Sequence, residues 1–156
     1  MWNMNKVISN AYPLSNKKFK DILHVSNLGL RAFWELYYGD IVPLTVKEYF
    51  EFTPNSEGCV PQLKRELFVQ KNHTYFLSFE VHCLAHSSGK LGIGLGGSRN
   101  SLSVSEETHG FILKQQFFQF NETRTIPVYF GGMNQAKLTG TIRNVLMIDL
   151  GENNLL

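Results

Sequence analysis

Apolar and polar residues take turns along most of the second half of the chain. Between Thr74 and Cys83, Tyr75, Leu77, Phe79, Val81 and Cys83 fall on one face. Thr74, Phe76, Ser78, Glu80 and His82 fall on the other. A period of two is what a half-buried antiparallel strand requires. Weaker alternation recurs elsewhere. Leu44, Val46, Phe50 and Phe52 oppose Thr45, Lys47, Tyr49 and Glu51, and Leu63, Arg65, Leu67 and Val69 oppose Lys64 and Glu66. Leu91, Ile93 and Leu95 point inward with glycines between them. Phe111, Leu113 and Phe117 alternate with Ile112, Lys114, Gln116 and Phe118, and a final strand carries Ile142, Leu146, Ile148 and Leu150 on one side. The aromatic-rich segment Leu30 to Tyr38 also reads as a strand. Thr125 to Phe130 is a short one, with Pro127 marking an edge or bulge because proline has no N–H for a ladder.

Loops are expected at Thr53–Gly58, Ala85–Gly89 and Gly131–Asn134, where turn-forming residues cluster. Asn16 to Leu23 predicts a short helix, with Phe19, Ile22 and Leu23 on one side and Ser15 as its cap. The pattern therefore predicts roughly eight or nine short strands and no long helix between them. That excludes βαβ units and indicates an all-β antiparallel β-sandwich. Residues 30–156 would form the sandwich, and residues 1–29 an N-terminal arm or its first strands.

Composition adds detail. A chain of 156 residues suits one domain with a normal core. Twelve Phe, six Tyr and two Trp are plentiful aromatics for a pleated surface. A net charge of +2 argues against nucleic acid as a partner. The basic cluster Lys17, Lys18 and Lys20 reads as solvated surface. No apolar window is long enough for membrane insertion by a helix, and the first residues do not read as a secretory signal. Asn72-His73-Thr74 and Asn121-Glu122-Thr123 fit the glycosylation pattern, read here as chance matches. Cys59 and Cys83 are too few for a disulfide framework, although one bridge is compatible with them.

Three motifs invite chemistry. Gly92-Ile93-Gly94-Leu95-Gly96-Gly97 looks like a phosphate loop, but Ser98 to Ser103 has no helical face to hold an anion. A strand whose glycines admit another backbone or a ligand fits better. His82, Cys83 and His86 are close in sequence, yet His82 and Cys83 point to opposite faces of a strand, so no metal site is expected. No serine or cysteine sits in a nucleophile context, and no carboxylate pair stands out. What remains is a binding face. Aromatic rings cover the C–H faces of sugars while Glu, Gln, Arg and His exchange hydrogen bonds with hydroxyls. The candidates are Trp34, Tyr49 and Tyr129 as stacking rings, with Glu80, His82, Gln116 and Arg143 as hydroxyl partners.

Three segments together carry a resemblance: Tyr75 to Val81, Gly89 to Gly97, and Gly140 to Gly151. They are similar to the carbohydrate-binding-module-like jelly rolls of bacteriophage tail, baseplate and fibre proteins, over about half the chain, residues 72–154. Leu150-Gly151-Glu152 matches the closing pattern of that family. Arg143 stands where its last strand often carries an aspartate. The resemblance implies a jelly-roll, carbohydrate-binding-module-like sandwich without enzymatic activity or cofactor. It implies a virion (phage tail or baseplate) location, extracellular at the host surface, where the module binds bacterial cell-surface polysaccharide beside other virion structural proteins. A homo-oligomer is compatible with that setting. Single-site affinity should be weak, around millimolar to micromolar, with multivalent display adding the rest. Two alternatives stay open: a structural adaptor or decoration domain with no sugar binding, and a glycan-cleaving enzyme using Glu80 with Glu51 or Asp149.

Overall fold

The computed structural model describes residues 20–26, 29, 32–38, 49–55, 58, 60–96 and 101–152, with backbone only at Tyr38 and Tyr49. The expected helix lies outside these residues from Asn16 to Phe19, as do the start of the strand expected at Leu44 and the residue Cys59. Seven strands follow in order: β1 (Glu35–Tyr38), β2 (Tyr49–Phe52), β3 (Gln62–Val69), β4 (His73–Leu95), β5 (Ser101–Val104), β6 (Ile112–Phe118) and β7 (Arg124–Glu152). Every pairing between them is antiparallel.

Two of these strands organise the rest. Strands β4 and β7 pair from His73 and Glu152 at one end to Leu95 and Val128 at the other. The second half of β4 and the first half of β7 sit inside the order β1-β3-β7-β4-β5. Their other halves are flanked by β2 and β6, in the order β2-β7-β4-β6. These two layers face each other. Phe130 of the first layer meets Phe50 and Phe52 of the second edge-on, with centroids 5.7 and 5.2 Å apart. The fold is an antiparallel β-sandwich of jelly-roll type, as the alternation indicates.

The core is the inward set of each strand. Leu77, Phe79, Val81 and Cys83 of β4 are buried, as are Ile126, Val128 and Phe130 of β7. Burying side chains of this size contributes about 1.5–3 kcal/mol each relative to exposure. In β3, Leu67 and Val69 are buried and Lys64 and Glu66 face outward, as the alternation predicts. Arg65 lies on the inward side of the same strand. Its guanidinium donates to the carbonyls of Leu23 at 2.9 Å and Ile22 at 3.4 Å, and packs over the rings of Phe33 and Trp34. Burial lowers its pKa, and the nearby Asp21 carboxylate pulls the other way.

Several expectations are corrected. Ala85–Gly89 and Gly131–Asn134 are not loops: both lie within continuous strands. The ladder shifts register between Cys83 and Lys90, which lets the strands pass from one layer to the other. These two mergers lower the number of strands, β5 adds one that the alternation did not predict, and the described residues hold seven. Lys20 to Leu23 is not helical. Asp21 bridges to Ile148, and Ile22 N donates to the Met147 carbonyl at 2.8 Å, extending the sheet beside β7. Leu23 and Val25 thereby enter the core. Ala32 and Phe33 are helical, so the strand expected from Leu30 begins only at Glu35. In β6 the phase is opposite to the expectation. Ile112 pairs with buried Val81 and packs on the core, while Leu113 opposite Glu80 is 58% exposed. Cys83 is a buried free thiol, so no bridge joins it to Cys59.

Candidate functional site

Each layer offers one outward face, and the two differ in kind. On the β2-β7-β4-β6 layer, register aligns Tyr49, Arg143, Glu80 and Leu113 in one row. The next row holds Glu51, Thr141 and His82. Arg143 donates to both carboxylate oxygens of Glu80, from Nε and Nη2, at 3.3 Å each. Asn144 donates to the same carboxylate through a very short hydrogen bond. These donors hold Glu80 below the usual carboxylate range. The guanidinium also lies 3.6 Å from the centroid of the Phe111 ring, and His82 packs against that ring at 5.5 Å. The polar groups of this face are therefore largely used on one another.

That wiring bears on cleavage chemistry. A glycoside hydrolase needs one carboxyl group that still holds a proton to protonate the leaving oxygen. Glu80 is held ionised instead. Asp149 is five positions along the strand pair from Glu80, about 16 Å at 3.3 Å per residue. It is also hydrogen-bonded to His73 Nδ1 at 2.9 Å. Glu51 is on β2, separated from Glu80 of β4 by the intervening strand β7 and one row out of register with it. The Cys83 thiol is raised in pKa, first by burial and then by Glu107, so it is no nucleophile. Among the described residues no three His, Cys, Asp or Glu side chains converge as metal ligands would.

The face of the β1-β3-β7-β4-β5 layer is organised differently. One row crosses all five strands: Glu35, Lys64, Tyr129, Gly94 and Ser101. Tyr129 faces outward because its neighbours Val128 and Phe130 are fully buried. Tyr37, 56% exposed, packs its ring 5.4 Å from that of Tyr129 at a tilt of 55°. Lys64 Nζ lies 5.4 Å from the Tyr37 ring and 3.6 Å from Glu66. The next row is Gln62, Gly131, Gly92 and Ser103. Ser101 and Ser103 share a hydrogen bond at 3.2 Å on the far side. Side-chain-free Gly92 and Gly94 lie between the rings and the serines. At Gly92 a Cβ would collide with the Leu102 carbonyl and come within 2.7 Å of Ser103 Cα. The glycine run thus admits the backbone of β5 and is no phosphate loop.

At the Gln62 end of this face is a cavity of about 220 Å³, lined by Val60, Gln62, Gly132, Asn134, Gln135 and Ala136. Val60, Gly132 and Ala136 are buried, while Asn134 and Gln135 are exposed. Gln62 Nε2 donates to the Gly132 carbonyl at 2.9 Å. Gly132 has no room for a side chain, since a Cβ would come within 2.7 Å of Val60 Cγ1.

The residues singled out from sequence are dispersed. Glu80, His82 and Arg143 come together, and the backbone of Tyr49 is in register with Arg143. The side chain of Tyr49 is outside the described set. Gln116 pairs with Leu77, so it projects from the opposite side of that layer at its edge. Tyr129 belongs to the other layer. Trp34 is not a surface ring: it is 7% exposed, packs 5.8 Å from Phe130 and donates from Nε1 to the Leu23 carbonyl at 2.9 Å. The partners of Tyr129, namely Tyr37, Lys64 and Gln62, were not among the sequence candidates. The alternation that turns Lys64 outward was their signal.

Among the described residues, seven strands in two facing layers make an antiparallel β-sandwich of jelly-roll type, one layer of which carries the Tyr37–Tyr129 pair on its outer side. Among solved structures, the chain resembles the second N-terminal cellulose-binding domain of Cellulomonas fimi β-1,4-glucanase C, at 17% identity and a TM-score of 0.52. That match covers 83% of this chain and 91% of the other. The N-terminal cellulose-binding domain of the same enzyme superposes equally well, with 14% identity and a TM-score of 0.52 over 85% and 95% of the two chains. A xylan-binding domain from Paenibacillus barcinonensis superposes with a TM-score of 0.49 at 12% identity, over 85% and 92%. No family model matches the sequence, and no curated protein matches it.

Proposed function

We propose that the chain is a non-catalytic saccharide-binding module whose site is the outward face of the β1-β3-β7-β4-β5 layer. The carrying observation is the solvent-facing Tyr37–Tyr129 ring pair beside Lys64 and Gln62. Tilted rings on a rigid sheet offer apolar surface to the C–H faces of a sugar, and the flanking ammonium, amide and hydroxyl groups bond its hydroxyls. The likeness to cellulose-binding domains supports the same reading at the level of fold. The ionised, internally bonded Glu80 supports binding without cleavage.

A finer assignment follows the strand motifs at Tyr75–Val81, Gly89–Gly97 and Gly140–Gly151. Their similarity to phage tail and baseplate jelly rolls supports a virion module that adheres to bacterial cell-surface polysaccharide. Weak single contacts would then be multiplied by display on a particle.

The test is affinity electrophoresis through purified cell-wall polysaccharides and plant glucans and xylans. Retardation by at least one of them without release of fragments is expected, and it should vanish when Tyr37 and Tyr129 are both changed to alanine. Mobility unaffected by every polysaccharide would overturn the reading in favour of a structural adaptor. Released fragments would mark an enzyme.

A further inference from the structure

We propose that the cavity at the Gln62 end of the tyrosine face receives the terminal residue of a saccharide chain, so that the module recognises chain ends. This rests on the saccharide-binding reading of the same face. The ring pair sits in the row of Lys64 and Tyr129, and Gln62 lies two residues further along β3 on the same side. Beyond Gln62 the backbone of β7 turns: Asn134 and Gln135 take φ values of 58° and 54°, and both are exposed on the cavity lining. A glycan running along the rings toward Gln62 meets this turn. The end of the bound chain is therefore placed at this bend, against Asn134 and Gln135.

The lining suits one kind of end. Its six residues include three amides and no ionisable group. Amides both donate and accept, which matches neutral hydroxyls better than a carboxylate or phosphate. The buried inner lining of Val60, Gly132 and Ala136 is apolar and fits a C–H face. About 220 Å³ corresponds to roughly seven waters at ~30 Å³ each, which is the scale of one sugar ring. The left-handed backbone at Asn134 and Gln135 is a conformation that glycine adopts freely. Either amide can therefore be removed there without straining the turn.

The test uses neutral oligosaccharides of two to six units, printed on arrays through their reducing end or their non-reducing end. Hits are then titrated in solution. The expected result is binding in one orientation only, a single module per chain at every length, and an affinity that stops rising after the first few units. Gln135→Gly and Asn134→Gly should each weaken binding about fivefold, the scale of one lost hydrogen bond, with an unchanged melting temperature. Equal binding in both orientations, with several modules on long chains, would overturn chain-end recognition and leave the saccharide reading standing. The same holds if both glycine variants bind as the parent does. If no oligosaccharide binds and no polysaccharide retards the protein, both readings fall together.

Discussion

The two outward faces of the sandwich carry similar residue types and use them in opposite ways. On one, Arg143 grips Glu80, stacks on Phe111 and shares Glu80 with Asn144. On the other, Lys64 reaches the Tyr37 ring and Glu66 and the Gln62 amide bonds the Gly132 carbonyl, yet Tyr37 packs on Tyr129 at a tilt and stays more than half exposed. A network that satisfies itself has little left to give a ligand, whereas rings held open by a rigid sheet are preorganised for one. The mere presence of Glu, His and Arg on a face is thus a poor guide to binding. The decisive question is what each group is already bonded to.

The largest expected effect lies beneath both faces. Trp34→Ala should cost about 3–5 kcal/mol of stability by removing a buried ring and one of the two donors, Trp34 and Arg65, that the Leu23 carbonyl accepts from. Urea denaturation measures it. A loss below about 1 kcal/mol would mean that the ring is a surface group after all. Next comes the direct contrast between faces. Tyr129→Ala should weaken polysaccharide retention about tenfold or more, near the scale of a binding hot spot, while Arg143→Ala leaves it within twofold. The reverse ranking would move the site to the other layer.

The smallest effect is electrostatic. The Glu80 pKa is depressed in the folded state, so its contribution is present above the unfolded carboxylate value of about 4.3 and lost as pH falls through the folded value. For a pair about one-third exposed the contribution should be ~0.5–1 kcal/mol. Denaturation midpoints of the parent and Glu80→Gln should therefore differ at pH 7 and converge in acid, once the pH is below the depressed folded value. A gap that persists in acid would show that the carboxylate charge is not what the network stabilises.

Much of the fold was legible in the alternation of residues. The inward set of β4 from Tyr75 to Cys83 and the outward turn of Lys64 and Glu66 follow from the period of two. Even Arg65 is where the pattern puts it, because backbone carbonyls and aromatic rings accept its charge. The glycine- and serine-rich stretch at Ala85–Gly89 reads as a loop since bulges and turns draw on the same residues. The phase of β6 was misread because both of its faces carry bulky apolar residues, so alternation alone does not choose between them. For the site, Tyr129 between Val128 and Phe130 was legible as outward. Its neighbour Tyr37 was not, because β1 changes register between Leu36 and Tyr38. Trp34 misled for a physical reason: an indole N–H that finds a carbonyl is content in the core.

The unbroken run of β4 and β7 through both layers has a consequence for how the molecule comes apart. Neither layer owns its two central strands, so one cannot melt while the other stays intact. Hydrogen exchange at the middle of the sandwich should report a single opening event shared by both halves. The chain ends of that ladder, His73 with Glu152, are also far apart in sequence, and closing so wide a loop slows folding. Rigidity under the tyrosines is thus obtained through slow, all-or-none assembly.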